Sequence, residues 1–385
     1  MSEVRVNNLS NENNTGGPTI SGITTYSGRH FFVPPQGDTA SRPSDCEPGS
    51  FRFNTDNAKL EYFRGDTIGW TEIEASSPEL GGGTSSSNQN ALGARAIAGG
   101  GFLGVRTIEF VTVSTLGDSQ DFGDLIAAGA IHGKQAVSTE TRMLYSGGYI
   151  NNAIEFITVA STGDSTDFGD MSFRRYAHTG VNDTIRGILG GGASTTPFVP
   201  SHGAETNMIE YVTIAQQGNA VDFGDMVSAT RGAASYQSSV RGVFHAGRDP
   251  SGILNTIQYV TIATTGDAQD FGDATDQKDF NAGGSNATRG IVFGGRDPNA
   301  TNLIEFTTIA TRGRAIDFGD LIQATDELGA AAAGTRAFSL GGTPTPAINI
   351  ISFVEIVTRG NATDFGDLTK ARFHCAGLSN GHGGL

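Results

Sequence analysis

Cysteine, tryptophan and basic residues are scarce in this sequence of 385 residues. The two cysteines, Cys46 and Cys375, lie too far apart to form a metal-binding spacing or a disulfide framework, and they imply no oxidising compartment. Lys and Arg total 25 against 40 Asp and Glu, so the formal net charge is −15. Because nucleic-acid backbones are bound by broad basic faces, we expect no nucleic-acid partner.

Long apolar segments are also lacking. No run approaches the about 18 residues of a membrane helix, so we expect no membrane insertion. The first residues, MSEVRVNNLSNENN, lack the basic and then apolar order of a signal peptide, which predicts a protein made in the cytoplasm. Glycine, in contrast, is abundant, with 55 residues, about twice its usual ~7% share, and it shows no three-residue collagen period. This composition predicts a turn-rich β protein.

The strongest signal is an internal repeat. The tetrapeptide Asp-Phe-Gly-Asp (DFGD) occurs six times, at intervals of 46, 55, 48, 47 and 47 residues. Its copies begin at Asp121, Asp167, Asp222, Asp270, Asp317 and Asp364. An arginine stands five residues before a Gly-Gly pair in register with each copy, although one pair is replaced by Ala246-Gly247. These arginines are Arg95, Arg142, Arg186, Arg241, Arg289 and Arg336. Such a period indicates a repeat architecture.

Each repeat unit predicts four short strands. RGIVFGG (289–295) is a β-branched and aromatic run that two glycines end, and LIEFTTIAT (303–311) is long enough for a second strand. AIDFGDL (315–321) predicts a third strand with its Phe inward, and small-residue segments such as ARFHCAGLSN (371–380) predict a fourth near a crowded axis. Four strands in about 48 residues are typical of one propeller blade.

The order of these pieces resembles the kelch repeat. The matching segments are ARFHCAG, RGIVFGG and NLIEF, and the resemblance covers about residues 90–385. The Trp of the kelch outer strand is absent, since the only Trp is Trp70, and the Phe of DFGD takes its place. The resemblance implies an all-β fold with a six-bladed kelch-like β-propeller over residues 91–385. The last copy runs on to FHCAGLSN (373–380), so we expect the C-terminal strand to complete the first blade and close the ring.

Residues 1–80 lie outside the repeat. Their segment 49–75, GSFRFNTDNAKLEYFRGDTIGWTEIEA, predicts three strands, and the Gly/Ser-rich run 81–90 predicts a linker. The segment resembles a short β module near the N-termini of bacteriophage virion proteins, especially tail and fibre proteins. The first residues also resemble structural proteins of marine tailed phages that infect cyanobacteria. These resemblances imply a location in the virion and a small β-rich N-terminal attachment region.

The repeated residues are interpreted as structural. Six DFGD copies without a Gly-rich loop or catalytic loop do not fit a kinase magnesium site, and aspartates spaced by three do not fit a calcium loop. We expect the Asp to bond turn amides, the Phe to pack between blades and the Gly to permit a bend. The arginines bond carbonyls between blades, or form a ring of salt bridges, or line the axis. No nucleophile–histidine arrangement stands out, so we predict no enzyme, no metal and no cofactor.

The loops after the Gly-Gly strands emerge on one face and vary most, which suits recognition. The longest is 193–208, and two adjacent loops share the sequence Gly-Arg-Asp-Pro. The candidate ligand-binding residues are Phe198, His202, Arg248, Asp249, Arg296 and Asp297. The alternative interpretation of the shared sequence is a pair of Asp-Pro turns.

Four functions remain open. The first is a virion structural protein, a tail fibre or baseplate appendage, which displays the propeller to a host-surface glycan or protein or to neighbouring virion proteins. The N-terminal region then contacts other virion proteins, and a homo-oligomer is expected. The second is a capsid decoration protein with a purely structural role. A carbohydrate-active propeller enzyme would require two facing carboxylates in one pocket. A cellular kelch adaptor is disfavoured because no partner domain accompanies the ring.

Overall fold

The computed structural model describes residues 34–56, 59–73, 94–126, 133–194, 204–343 and 346–385. Over these ranges the protein is all-β, with one 3-10 turn at Phe102–Gly104 and no α-helix. No helix in this part of the chain is long and apolar enough to cross a bilayer. The chain divides into two compact units, Met1–Ser77 and Pro78–Leu385.

The first unit contains one four-stranded sheet in the order β1-β2-β3-β4. Its strands are β1 (Gln36–Gly37), β2 (Phe51–Asn54), β3 (Lys59–Phe63) and β4 (Trp70–Glu72). The last three are the strands that the sequence predicts. On one face the guanidinium of Arg42 pairs with Glu61, and the amide of Asn54 donates to the same carboxylate at 2.7 Å. This face of the sheet is therefore closed by polar contacts from the preceding loop.

The second unit contains six four-stranded sheets, which we number I to VI. Sheet I has β5 (Arg95–Gly99), β6 (Thr107–Thr112), β7 (Gln120–Asp124) and the last strand, β30 (Ala376–Ser379). Sheet II has β8 (Gln135–Ser138), β9 (Arg142–Ser146), β10 (Ala153–Thr158) and β11 (Thr166–Asp170). Sheet III has β13 (Thr179–Asn182), β14 (Arg186–Gly190), β16 (Met208–Thr213) and β17 (Val221–Asp225); the short strands β12 (Arg175–Tyr176) and β15 (Ala193–Ser194) pair beside it.

The remaining three sheets have the same plan. Sheet IV has β18 (Ala234–Gln237), β19 (Arg241–Asp249), β20 (Gly252–Thr261) and β21 (Gln269–Asp273). Sheet V has β22 (Ala282–Ser285), β23 (Arg289–Phe293), β24 (Leu303–Thr308) and β25 (Ile316–Asp320). Sheet VI has β26 (Gly329–Ala333), β27 (Arg336–Gly342), β28 (Ile348–Glu355) and β29 (Thr363–Asp367). All strands in these sheets pair antiparallel with their neighbours.

The last strand of the chain belongs to the first sheet. Strand β30 pairs with β5, with Ala376 opposite Gly99, so residues almost 280 positions apart share one sheet. The innermost strands are β30, β8, β13, β18, β22 and β26, and each contacts the next until β26 again meets β30. This closed inner circuit is built from small residues. At Gly284, for example, a Cβ would come within 3.1 Å of the backbone of Ala331 on the neighbouring inner strand.

The core lies between neighbouring sheets. Ile97, Ile108 and Phe122 of sheet I form one buried cluster with Met143 and Tyr145 of sheet II. Five further clusters contain the other interfaces and sheet interiors. We count the strands of each sheet from its innermost strand, so that β30, β5, β6 and β7 are the first to fourth strands of sheet I. Because each sheet is covered on both faces by its neighbours, the second and third strands are almost continuously buried, unlike the alternating pattern of a half-exposed sheet.

Candidate functional site

The DFGD segments form the outer contacts between sheets. Each Phe packs edge-on against the aromatic residue of the third strand, with ring centroids 5.7–6.1 Å apart. Its carbonyl accepts a hydrogen bond from a hairpin glycine of the next sheet, as Phe271 does from Gly313 at 2.9 Å. The six pairs run from sheet I through VI and back to I, where Gly117 donates to Phe365. The outer strands are therefore linked in a second closed circuit.

The aspartates of DFGD have a different role from the one expected. The side chain of the first Asp is exposed in all six copies. Instead, a side chain in the hairpin of the next sheet accepts a hydrogen bond from the backbone amide of the second Asp of DFGD. Asp267 accepts from the amide of Asp225 at 3.0 Å, and Asn361 does so from Asp320. The expectation that the DFGD aspartate side chains bond turn amides is therefore wrong, because a turn side chain of the next sheet is the acceptor and a DFGD backbone amide is the donor.

The six repeated arginines join neighbouring sheets. Each guanidinium lies over the aromatic ring of its own third strand, 4.3–5.0 Å from the centroid. Each also donates to a backbone carbonyl of the next sheet, as Arg142 does to Ile214 at 2.9 Å. The last member, Arg336, donates to Val113 of sheet I at 3.0 Å and so completes the series. Of the roles that the sequence left open, the arginines therefore make the bonds to carbonyls between sheets.

Buried carboxylates tie the connecting segments to the sheets. The third strand carries a buried Glu in sheets I, II, III and V, and the segment that enters the same sheet supplies a cation. The ion pairs are Arg372–Glu109, Lys134–Glu155, Arg175–Glu210 and Lys278–Glu305. Sheets IV and VI carry Gln258 and Ser352 instead, and the position equivalent to Arg175 is then Thr230 or Thr325. Cation and carboxylate are thus kept together or lost together.

The pKa shifts of these groups result from their burial and pairing. Burial lowers the pKa of the Lys134 ammonium, although Glu155 opposes this effect. Burial alone would raise the pKa of Glu305, but His245 and Lys278 outweigh it and hold that pKa well below its usual range. The ionised carboxylate accepts from the ammonium at 2.5 Å and from His245 Nε2 at 2.9 Å. His245 thus joins sheet IV to sheet V through Glu305, whereas the other ion pairs join a sheet to the segment that enters it.

Six backbone amides close a circle at one end of the inner circuit. The residue two positions before each inner strand donates its amide to the carbonyl of the equivalent residue in the preceding repeat, at 2.7–3.2 Å. The members of this amide circle are Gly133, Ala177, Gly232, Phe280, Glu327 and His374. All have φ between 52° and 71°. This left-handed conformation costs a non-glycine residue roughly 1–2 kcal/mol. The last three members adopt it although each has a large side chain.

The three large side chains contact one another and the Arg296 loop. Phe280 meets His374 edge-on at 5.3 Å, and His374 Nε2 lies 3.2 Å from a Glu327 carboxylate oxygen. The guanidinium of Arg296 lies 4.5 Å from the Phe280 ring centroid and donates to Glu327 at 3.0 Å and to Asp326 at 2.9 Å. Burial opposes ionisation of Glu327, but His374 and Arg296 outweigh it and lower its pKa.

The predicted ligand-binding residues fall into three groups. Arg248 and Arg296 come together because both contact the fully buried Asp279, at 3.4 and 3.3 Å. Burial raises the pKa of Asp279 despite these arginines. Asp249 accepts from the amides of its own hairpin, at 2.7 Å from Ser251, so it is a turn residue as the alternative interpretation has it. Asp297 begins a loop with a cis Asp297–Pro298 peptide, whereas Phe198 and His202 lie outside the described residues.

Two small cavities lie one after the other inside the inner circuit. The outer cavity, of about 40 Å³, is lined by the whole amide circle. The inner cavity, also about 40 Å³, is lined by the inner strands and by His382. Asn281 lines both, is 6% exposed, and its side-chain oxygen has no hydrogen-bond donor. Each volume admits only a few water molecules, so a larger ligand must rest on the amide circle rather than enter it.

The last residues of the chain close the opposite end of the circuit. His382 is 3% exposed; its Nδ1 accepts from Gln237 at 2.9 Å and from the Gly384 amide at 3.0 Å. Its Nε2 lies 3.0 Å from the Ser138 carbonyl, which fixes the neutral tautomer with the proton on Nε2. Burial lowers the pKa of His382 to about 4, although the Ser138 bond opposes the shift. The period of the repeat does not point to His382, because this residue lies after the last copy.

The amide circle was also missed from sequence, although a positional signal exists. In five copies its member stands seven residues after the second Asp of DFGD, yet these members are Ala, Gly, Phe, Glu and His.

Among the described residues no group of three potential metal ligands lies close enough to hold an ion. The sequence matches no protein-family model and no curated protein sequence. The kelch and phage resemblances therefore rest on the sequence motifs alone.

Proposed function

We propose that residues 91–385 form a six-bladed β-propeller with sheets I to VI as its blades. Three independent series of contacts support it: the inner strands, the hairpin-to-Phe hydrogen bonds and the arginine-to-carbonyl bonds each return to their start after six sheets. Class averages of the purified protein in electron micrographs are expected to show six lobes around a centre. A row of sheets with two open ends would contradict the proposal.

We further propose that this chain is a virion structural protein of a tailed bacteriophage, a tail-fibre or baseplate appendage without catalytic activity. The N-terminal region attaches it to the particle, and the propeller is displayed for contact with the host surface or with neighbouring virion proteins. The observation that carries the attachment role is the apolar face of the N-terminal sheet. Opposite the polar contacts of Arg42 and Glu61, this face carries Phe53 and Leu60, with Ile73 beside them.

The exposure of this face is what a docking role requires. Leu60 and Ile73 are 40% and 41% exposed, and they are adjacent because the amide of Ile73 donates to the Leu60 carbonyl at 2.8 Å. A sheet of four short strands has little core of its own, so an apolar face left outside it is suited to burial against another protein. We take the partner to be another virion protein, because segment 49–75 resembles a module of bacteriophage virion proteins.

The experiment is immunogold electron microscopy of phage particles with antibody against residues 91–385. Label at the tail tip or fibres is expected. Label spread over the capsid would favour the decoration protein, and absence from purified particles would overturn the virion proposal. Particles carrying Leu60→Ser with Ile73→Ser are expected to lose the label, whereas Ile68→Ser, at a more exposed turn position in the same unit, is the control that keeps it.

A carbohydrate-active enzyme is the alternative with one observation in its favour. Asp279 and Glu327 both contact Arg296, and their pKa values are shifted in opposite directions, as for a general acid and its partner. Asp279 is 0% exposed beneath the two arginines, so a substrate on the surface does not reach it. Release of reducing sugar that Glu327→Gln abolishes would establish the enzyme and overturn the non-catalytic proposal.

A further inference from the structure

Half of the amide circle carries side chains that its closure does not need. Gly133, Ala177 and Gly232 make the same hydrogen bonds in the same left-handed conformation with at most a methyl group. Phe280 and His374 adopt that conformation although it is unfavourable for them. Their presence is therefore explained by what their side chains contact, and strained positions of this kind cluster at functional sites.

These side chains belong to a continuous aromatic arc. We define the aromatic arc as Phe102, Phe373, His374 and Phe280. Phe102 stacks on Phe373 at 4.7 Å, Phe373 lies 5.6 Å from the His374 ring, and His374 meets Phe280 at 5.3 Å. All four residues are partly exposed, so the arc is partly open to the solvent. Glu327 lies along its edge, bonded to His374.

The circle also contains an unsatisfied polar group. The side-chain oxygen of Asn281 lies at the junction of the two cavities, is buried and accepts no hydrogen bond, while its nitrogen donates to the His245 carbonyl at 3.4 Å. A buried acceptor without a donor is uncommon, and a hydroxyl group or a water held by a ligand would satisfy it. A ligand with hydroxyl groups at the amide circle can complete this site through such a water.

The charge of the site selects against an anion. Arg296 already contacts Asp279, Asp326 and Glu327, so its charge is neutralised within the protein. The chain as a whole carries a formal charge of −15 and repels an anionic polymer. Exposed aromatic rings beside a few polar groups instead suit a ligand with both apolar C–H faces and hydroxyls.

We propose that the aromatic arc and Glu327 bind a neutral pyranose unit of a glycan at the amide circle. The C–H face of the sugar packs on the rings of Phe373 and Phe280, its hydroxyls donate to Glu327, and a bridging water or hydroxyl reaches Asn281. This inference rests on the proposed display of the ring to a host surface and names the ligand class of that display.

The test uses the full chain and saturation-transfer NMR. The probes are maltohexaose, cellohexaose and mannohexaose as neutral oligosaccharides, with hexagalacturonate as the acidic one. At least one neutral probe is expected to bind, and Phe280→Gly and His374→Gly are expected to weaken it at least 10-fold. Ala177→Gly makes the same backbone change on the bare half of the circle and is the matched control, with binding unchanged.

Stability separates binding residues from structural ones. Because glycine adopts the left-handed conformation without strain, relief of that strain offsets part of the ring packing that Phe280→Gly and His374→Gly lose. The Tm of all three variants is therefore expected to stay within a few degrees of that of the unchanged protein. A fall of several degrees for Phe280→Gly and His374→Gly, but not for Ala177→Gly, would make these side chains structural and overturn the proposal. Binding of none of the neutral probes, or preference for hexagalacturonate, would also overturn it. Label on phage tails together with either result would leave the virion proposal standing and remove only this inference.

Discussion

The outer strands and the inner strands of the six sheets obey different rules. At the outside, every copy keeps the edge-on Phe, the glycine hairpin against it and the arginine bond to the next sheet. On the inside, equivalent positions change from copy to copy: the amide circle holds Gly, Ala, Phe, Glu or His, and the buried third-strand position holds Glu, Gln or Ser. A closed series needs the same contact between every pair of neighbours. Repetition therefore marks closure, and departure from it marks where side chains serve a local purpose.

The largest expected loss of stability comes from removing one partner of a buried ion pair, because cation and carboxylate are present together or absent together in every sheet. Glu210→Gln leaves the guanidinium of Arg175, 0% exposed, without its carboxylate, and arginine stays charged. We expect the free energy of unfolding to fall by about 3–5 kcal/mol, measured by denaturant unfolding.

The double variant Arg175→Thr with Glu210→Gln gives sheet III the Thr230 and Gln258 arrangement of sheet IV. It is expected to recover most of the loss, because cation and carboxylate are then removed together. A single variant that costs less than about 1 kcal/mol, as for an exposed pair, would show that the pairing rule has no energetic basis.

The contact between the outer strand of one sheet and the hairpin of the next leaves no room for a Cβ at the DFGD glycine. Gly319, at φ 152°, lies against the hairpin backbone of Gly360, and an added Cβ would overlap with it. Gly313 has nearly the same φ, 156°, and open space around it. Gly319→Ala is expected to cost about 3 kcal/mol or more, and Gly313→Ala only the part of this that comes from the backbone conformation. Equal losses in thermal and denaturant unfolding would show that contact between sheets is not what requires the DFGD glycine.

Repetition is also what sequence analysis reads well. The three N-terminal strands, the four strands per repeat and the pairing of residues 376–379 with 95–99 can all be predicted from hydrophobic runs bounded by glycine. The inward Phe can be predicted from register alone, whereas register left open whether Arg142 bonds a neighbouring carbonyl, joins a ring of salt bridges or lines the axis. The four strands, the Phe and the Arg recur in every copy, so six copies reinforce one signal, whereas the N-terminal strands and the single pairing of β30 with β5 each depend on one segment.

The features that sequence did not reveal depend on contacts between different repeats. Phe280 and His374 stand 94 residues apart in the numbering, and no shared residue type marks their common left-handed conformation. Asp279 meets Arg248 and Arg296 only because two sheets are adjacent. His382 lies after the last repeat, so no period points to it. The candidate site is thus least visible where the repeats differ most.

The closed end of the inner circuit is expected to weaken in mild acid. His382 has a folded-state pKa of about 4 against about 6.5 when unfolded, so between these values the unfolded chain binds the extra proton. Stability is then fully present above pH 6.5 and falls by about 2 kcal/mol from pH 7 to pH 5 on account of this residue. Asn182, Ser138 and Gln237 face the ring and do not titrate.

The measurement is denaturant unfolding at pH 7 and at pH 5 for the natural protein and for His382→Gln. The variant is expected to lose most of the difference between the two pH values. Part of the slope remains, because burial also lowers the pKa of His178 well below its usual value. The buried carboxylates, whose pKa values are lowered, lose their contribution only below their unfolded pKa near 4.5, outside this window. An unchanged slope in the variant would exclude His382 as its source.

The smallest expected effect sharpens the outer rule by repairing its one exception. In five of the six interfaces a hairpin Asp or Asn accepts from the amide of the second DFGD aspartate. At Asp273 the equivalent hairpin position is Arg314, which has no acceptor to offer. Arg314→Asn is expected to raise the free energy of unfolding by about 0.5–1 kcal/mol, the net value of one hydrogen bond. Arg314→Ala, which removes the arginine without adding an acceptor, is the control, and an equal gain there would assign the effect to loss of the arginine rather than to the new bond.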